Sequence, residues 1–165
     1  MYLMSIEDPS KFRRHEMNQN PQEVTPRYCV WEITLACDLG CKHCGSRAGN
    51  TRSTELSTAQ CLDVVCQLED AGFTEVTLIG GEAYLREDWD LIAAEITKRG
   101  MACTMATGGR GMNEERVKRA EDAGIYHISF SIDGLQETHD AQRGSPGSWR
   151  AALEGAERVA KSSMR

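Results

Sequence analysis

Three cysteines in one short stretch are the residues of this sequence whose type and spacing could do chemistry. Cys37, Cys41 and Cys44 are separated by three and then by two residues. Thiolates at this spacing can hold an iron–sulfur cluster from a single loop, and three protein ligands in place of the usual four would leave one iron open. An open coordination position is typical of metals that take part in a reaction. Gly40 and Gly45 suit a loop that bends tightly.

The same three cysteines are also compatible with a structural zinc ion or with unliganded thiols. A structural zinc site requires four ligands around one metal. His43 is the only local candidate for the fourth ligand, and it stands next to Cys44, too close to complete a relaxed tetrahedron easily. The spacing alone therefore favours a cluster and leaves zinc as the alternative.

The rest of the sequence alternates between strand and helix patterns, which is typical of an α/β fold. Strands are expected at residues 28–35, 75–79, 102–106 and 126–132. Four helices are expected, namely from a capping box at 57–60 to Gly72, over 88–99, from Asn113 to Gly124, and after Ser148. The residues of the last helix that are expected to face inward are Trp149, Ala152, Leu153, Ala156 and Val159. Strands that alternate with helices predict a parallel sheet, and periodicity does not decide between a barrel and an open sheet. Residues 1–27 are expected to be an N-terminal arm and 28–165 a core domain.

Composition and charge indicate which kinds of binding partner and which cellular location to expect. The formal net charge is −6, which gives no indication of binding to nucleic acid or to an anionic membrane surface. No apolar run is long enough to span a bilayer, and the first residues lack the features of a signal peptide. The seven cysteines form an odd set without an export signal, which argues against a disulfide framework. We therefore expect a cytoplasmic protein with no nucleic-acid partner and no membrane partner.

The run ITLACDLGCKHC resembles the signature of the radical S-adenosylmethionine (SAM) superfamily, C-x3-C-x-Φ-C, where Φ is aromatic. His43 occupies the Φ position. The resemblance implies that Cys37, Cys41 and Cys44 bind a [4Fe–4S] cluster. It also implies that the open iron chelates the amino and carboxylate groups of S-adenosylmethionine, and that His43 lies near the adenine of this cofactor.

Two later motifs resemble the same superfamily, and they occur in the expected order. Gly80, Gly81 and Glu82 follow the second expected strand and resemble the GGE-Pro motif that contacts the methionine amino group, although Ala83 replaces the proline. Gly108 likewise stands where relatives often have asparagine, so that a polar contact would be lost. The segment SIDGLQETHDAQRG is similar to the peptide- and protein-modifying (SPASM/Twitch-type) branch. It implies that Ser131 and Arg143 hold the cofactor carboxylate and that Asp133 lies near the ribose or the substrate.

The resemblance implies a partial (β/α)6 TIM-like barrel, of which four βα units are found before the chain stops. It implies an enzyme that takes one electron from a reductant, generates a 5′-deoxyadenosyl radical and modifies a peptide, a tetrapyrrole-like compound or another small substrate. No general acid or base can be assigned. The alternatives are a zinc-stabilised binding module and an inactive truncated product.

Overall fold

A computed structural model describes residues 27–164, so the arm expected over residues 1–27 lies almost wholly outside the described residues. The strands are β1 (Tyr28–Glu32), β2 (Glu75–Ile79), β3 (Ala102–Thr107) and β4 (His127–Phe130). The helices are α1 (Thr58–Asp70), α2 (Trp89–Lys98), α3 (Glu114–Asp122), α4 (Gln136–Arg143) and α5 (Ser148–Ala160), and a short 3₁₀ helix spans Ala83–Leu85. Across residues 27–164, no helix combines the length and the apolar character that a membrane crossing requires.

The four strands form one parallel sheet in the order β1-β2-β3-β4. The expected α/β fold with alternating helices is confirmed. Each strand lies beside its neighbour in sequence, which is the order of a barrel wall, whereas a doubly wound sheet reverses its strand order partway across.

The hydrophobic core lies between the sheet and its helices. Val76, Leu78, Cys103 and Met105 alternate along β2 and β3 and are fully buried on the helix side of the sheet. Fully buried side chains of α2 belong to the same core, namely Trp89, Ile92, Ala93 and Ile96. Burial of this apolar surface fixes the strands relative to the helices.

The opposite face of the sheet is more polar and more open. The Thr77 hydroxyl lies 2.9 Å from the Tyr28 hydroxyl and 2.6 Å from the Thr104 hydroxyl, so that a row of hydroxyls crosses three strands. Tyr28 is 54 % exposed and Val30 is 51 % exposed. In a barrel this face would line the interior.

The capping box that the sequence indicated before α1 is confirmed, because Ser57 and Gln60 exchange side-chain-to-backbone hydrogen bonds. The end of the chain differs from expectation. Two helices follow β4, and α4 was not predicted. Ser148 is the first residue of α5 and not its cap, which is Gly147, and the Ser148 hydroxyl donates to Asp140 at 2.9 Å.

The buried side of α5 also differs in part from the expected one. Its buried residues are Ser148, Ala152, Gly155 and Val159. The expected inward residues Trp149, Leu153 and Ala156 are only partly buried. The helix is therefore rotated relative to the predicted face, and its small residues lie closest to the sheet.

We predict that Ile96→Ala lowers the free energy of unfolding by about 2–5 kcal/mol, because Ile96 is fully buried and a cavity would remain. Leu91→Ala on the same helix is the matched control. Leu91 is 57 % exposed, so its loss should change stability by no more than about 0.5 kcal/mol. Urea denaturation measures both values, and equal effects of the two substitutions would contradict the packing described for α2.

Candidate functional site

The three-cysteine segment is a loop whose two ends are joined by backbone hydrogen bonds. It lies between β1 and α1, and an isolated parallel bridge pairs Ala36 with Gly49. The Cys37 amide donates to the Gly49 carbonyl at 3.0 Å, and the Gly49 amide donates to the Leu35 carbonyl at 2.9 Å. The cysteines therefore belong to a closed loop at the carboxyl end of β1.

The segment after β2 lies against the base of this loop. The Gly81 amide donates to the Thr34 carbonyl at 3.0 Å, and the Glu82 amide donates to the Ala36 carbonyl at 2.7 Å. A Cβ atom on Gly81 would overlap the Ala36 carbonyl oxygen and lie 2.6 Å from the Cys37 Cβ. Glycine is thus needed because two stretches of backbone approach each other closely.

Glu82 is a buried carboxyl group, with 2 % of its surface exposed. It accepts hydrogen bonds from the Thr107 hydroxyl at 2.5 Å and from the Gly108 amide at 2.6 Å. Burial raises the pKa of Glu82 to about 7, against the opposing influence of these two hydrogen bonds. Gly108, where the sequence suggested a lost polar contact, provides a backbone donor to this carboxylate.

Each of the three cysteine sulfurs accepts one N–H hydrogen bond. The donors are the Leu39 amide to Cys37 at 3.4 Å, the Ala48 amide to Cys44 at 3.4 Å, and the Arg143 Nη1 to Cys41 at 3.8 Å. Hydrogen bonds of this kind stabilise sulfur ligands in their anionic form.

His43 does not converge with the thiols in this structure. Its Nε2 lies 3.7 Å from a carboxylate oxygen of Asp133, and its side chain is 46 % exposed. Among residues 27–164, no group of three or more His, Cys, Asp or Glu side chains is arranged to hold a single metal ion. Thiolates that bind a cluster each coordinate a different iron and need not converge on one point.

Arg143 and Asp133 form a two-pronged ion pair. The Arg143 Nε donates to Asp133 at 2.6 Å, and its Nη2 donates to the other carboxylate oxygen at 2.9 Å and to the Ser131 carbonyl at 3.2 Å. Burial would raise the pKa of Asp133, but the hydrogen bonds and charge of Arg143 hold this pKa below its ordinary value. His139 is fully buried, and its Nδ1 accepts from the Asp133 amide at 3.2 Å.

These elements surround one cavity of about 290 Å³. The cavity brings together nine of the ten residues singled out from the sequence, namely Cys37, Cys41, His43, Cys44, Gly80, Gly81, Glu82, Ser131 and Arg143. Asp133 is the tenth. It does not line the cavity, but its carboxylate binds Arg143, which does. Further residues that were not singled out from the sequence also line the cavity, among them Leu39, Ile79, Ala106 and Thr107. Strand alternation could have indicated Ile79 and Ala106, which share the face of Thr77 and Thr104, whereas Thr107 is the last residue of β3 and has the opposite orientation.

The fold and the site together define an α/β protein with a three-cysteine loop and a buried glutamate at the carboxyl edge of a parallel sheet. Residues 31–165 match the family described as the Radical SAM superfamily. The chain belongs to this superfamily, as the cysteine motif indicated.

The relatives include enzymes of Methanosarcina and Mycobacterium species. The chain is 36 % identical over 138 residues to an AdoMet-dependent heme synthase of Methanosarcina barkeri, covering 82 % of the chain and 40 % of that protein. It is 35 % identical over 137 residues to the mycofactocin maturase MftC of Mycobacterium ulcerans, covering 82 % of the chain and 37 % of that protein. The chain thus spans about two fifths of the length of these relatives.

A solved structure shares the fold. SuiB of Streptococcus suis, bound to its precursor peptide SuiA, superimposes with a TM-score of 0.70 at 18 % identity. The match covers 85 % of this chain and 31 % of SuiB. At this identity the comparison shows the fold alone, and it supports the parallel sheet with alternating helices that the sequence predicts.

We predict that Gly81→Ala lowers the free energy of unfolding by about 2 kcal/mol or more, because the new methyl group overlaps backbone that cannot move freely. Gly45→Ala, in the neighbouring cysteine loop, is the control, since its Cβ would meet nothing within 4 Å. That control should change stability by less than about 1 kcal/mol. Chemical denaturation of the metal-free chain compares the two, and a tolerated Gly81→Ala would contradict the contact with the loop.

The raised pKa of Glu82 predicts a pH dependence of stability. Between pH 4.5 and about 7 the folded chain keeps a proton on Glu82 that the unfolded chain has lost. The contribution of this proton to the free energy of unfolding is complete at low pH and disappears as the pH rises through about 7. The stability of the parent relative to Glu82→Gln should therefore fall by about 3 kcal/mol across this window.

Urea unfolding of both chains from about pH 5 to about pH 8 tests this prediction. Glutamine keeps an acceptor for the Gly108 amide and offers a donor to Thr107, so the buried contacts are matched. All other titrating groups are common to both chains and cancel in the difference. A difference that stays constant with pH would show that Glu82 titrates normally.

Proposed function

We propose that this chain forms the part of a radical SAM enzyme that binds a [4Fe–4S] cluster through Cys37, Cys41 and Cys44, with S-adenosylmethionine beside it. One observation carries the proposal: the three sulfurs line the same cavity as Gly81 and Glu82. The cysteine motif and the GGE segment are far apart in sequence, and backbone hydrogen bonds to Thr34 and Ala36 bring them into contact.

The donor set fits an iron–sulfur cluster. Three thiols from one closed loop can bind three irons, and the fourth iron would then be free for a ligand. Each sulfur already has an N–H donor for a coordinated thiolate, and at Cys37 this donor opposes the burial that raises the pKa of the free thiol. The apolar side chains of Leu39 and Ile79 in the cavity wall would limit access of water.

The groups around the cavity suit an amino acid with a positive charge. The Glu82 carboxylate can accept from an ammonium group, and an ammonium nearby would favour its ionised form. The Ser131 hydroxyl and Arg143 are candidates for holding a carboxylate, and His43 is a candidate for stacking on the adenine. Asp133 orients Arg143 and remains a candidate for the ribose or the substrate.

When bound, the cluster and S-adenosylmethionine supply the chemistry, a one-electron cleavage of the sulfonium carbon–sulfur bond that yields a 5′-deoxyadenosyl radical able to remove a hydrogen atom from a substrate. The residues of this chain position both groups at the carboxyl edge of the sheet. Glu82 would exchange its proton for the contact with the ammonium group, which its pKa of about 7 allows near neutral pH. Arg143 would keep its charge throughout.

The reaction needs an external one-electron reductant and a substrate. One relative is named as a heme synthase, and SuiB was solved with a precursor peptide bound. The substrate classes to test are accordingly a peptide and a tetrapyrrole or other small molecule. The face of the sheet that carries Val30 and Thr77 is open toward the position where a barrel interior would lie, and a substrate would approach the cavity from that side.

We predict that anaerobic reconstitution with iron and sulfide gives a brown chain containing the two elements in equal amounts. With dithionite and S-adenosylmethionine, it should release 5′-deoxyadenosine. Replacing Cys37, Cys41 and Cys44 with serine should abolish iron binding, because serine does not supply a thiolate. Elemental analysis, absorption spectroscopy and chromatography of the nucleoside measure the three outcomes.

Cys66→Ser is the matched control, because Cys66 is a half-buried cysteine of α1 that does not line the cavity. It should retain the iron content and spectrum of the parent. A colourless parent that contains zinc would support the zinc-stabilised binding module instead. A parent that binds the cluster but releases no 5′-deoxyadenosine would restrict the proposal to cluster binding.

A further inference from the structure

Cys41 differs from the other two cysteines in the origin of its hydrogen-bond donor. Cys37 and Cys44 each accept from a backbone amide within their own loop. Cys41 accepts from the guanidinium of Arg143, which is 102 residues away and is the last residue of α4. The middle cysteine is therefore the one whose sulfur depends on a second element of the fold.

The backbone on both sides of Cys41 is held by the same turn of α4. The Gly40 amide donates to the Arg143 carbonyl at 3.2 Å, and the Lys42 amide donates to the Gln142 carbonyl at 2.8 Å. The last carbonyls of a helix lack partners within the helix, so they are available to donors from another segment. In this structure the cysteine loop provides those donors.

The residue that ends α4 permits this close approach. Gly144 has a left-handed conformation with φ of 63°. A Cβ atom at this position would lie 2.6 Å from the Gly40 carbonyl oxygen, a distance that side chains do not tolerate. Gly144 therefore serves both as the helix cap and as the point of contact with the loop.

We propose that Gln142, Arg143 and Gly144 form a clamp that fixes Cys41, in which Arg143 is a positioning residue for the cluster ligand. Asp133 holds the guanidinium in place by two hydrogen bonds, so that its Nη1 edge is directed to the Cys41 sulfur. The part of this inference that concerns a cluster rests on the proposed function. The contact between α4 and the loop does not.

A positive N–H donor on one cluster thiolate has a definite electrical consequence. Reduction adds a negative charge to the cluster, and a cationic donor to a coordinating sulfur stabilises the reduced state. Arg143 should thus raise the reduction potential of the cluster, in addition to any contact that it makes with a cofactor carboxylate. A measurement made without S-adenosylmethionine separates these two contributions.

The first experiment uses the cluster-free chain and compares Gly144→Ala with Gly147→Ala. Both glycines have positive φ, at 63° and 82°, but a Cβ on Gly147 would meet nothing within 4 Å. Amide hydrogen exchange at Gly40 and Lys42 should be at least about tenfold faster in Gly144→Ala than in the Gly147→Ala control. Equal protection of these two amides in both variants would overturn the clamp.

The second experiment measures the reduction potential of the reconstituted cluster by titration followed with electron paramagnetic resonance. Arg143→Met should shift the potential to more negative values. Arg143→Lys should recover part of the shift because it keeps a charge and an N–H donor. An unchanged potential in Arg143→Met would overturn the role of Arg143.

The two experiments separate the inference from the proposed function. If the parent chain takes up no cluster, the proposed function fails, whereas the exchange of Gly40 and Lys42 still decides the clamp. If Gly144→Ala also loses protection at the core amides of Val76 and Cys103, it has unfolded, and the Arg143 potentials decide instead.

Discussion

The position of the Ala36 peptide is the constraint on which the rest of the site depends. Its carbonyl accepts from the Glu82 amide, and its residue pairs with Gly49 at the neck of the cysteine loop. One short stretch of backbone is thus shared by the loop, the GGE segment and the end of β1. Because these contacts are between main-chain groups, they do not depend on particular side chains. Position 81 is the exception, since it must be glycine for the two backbones to approach.

The backbone contacts at Ala36 also bring several acidic side chains close together, and this proximity determines the electrostatics of the cavity. Three thiols and Glu82 line the cavity with one guanidinium, that of Arg143. Burial raises the pKa of Glu82, and Asp38, which lies beside Arg110, adds to the effect. A site with this balance is better suited to a cationic ligand than to an anionic one. Asp133 already occupies the edge of Arg143 formed by Nε and Nη2, so the positive potential that remains is directed from Nη1 toward Cys41 and the cavity.

The parts of this structure that local chemistry determines could be predicted from the sequence. The capping box at Ser57, the glycines after α1, α2 and α3, and the alternation of apolar strands depend on neighbours in the chain. Helix α4 was missed because its N-cap is Leu135, which forms no side-chain cap and gives no start signal. The contact of Arg143 with Cys41 could not be found without that helix, because only the helical turn brings the two residues together.

Strand register explains why residues from four separate motifs reach the same cavity. The pairs Glu32 with Ile79 and Thr107 with Phe130 place the strand ends side by side, so the segments that follow them emerge at one edge. A slip of one residue in β3 would turn Thr107 away from Glu82 and move Met105 out of the core. The apolar packing on the helix side, which penalises such a slip, therefore also maintains the geometry of the polar site. Stability and function are linked here through register, although the residues responsible for each lie on different parts of the sheet.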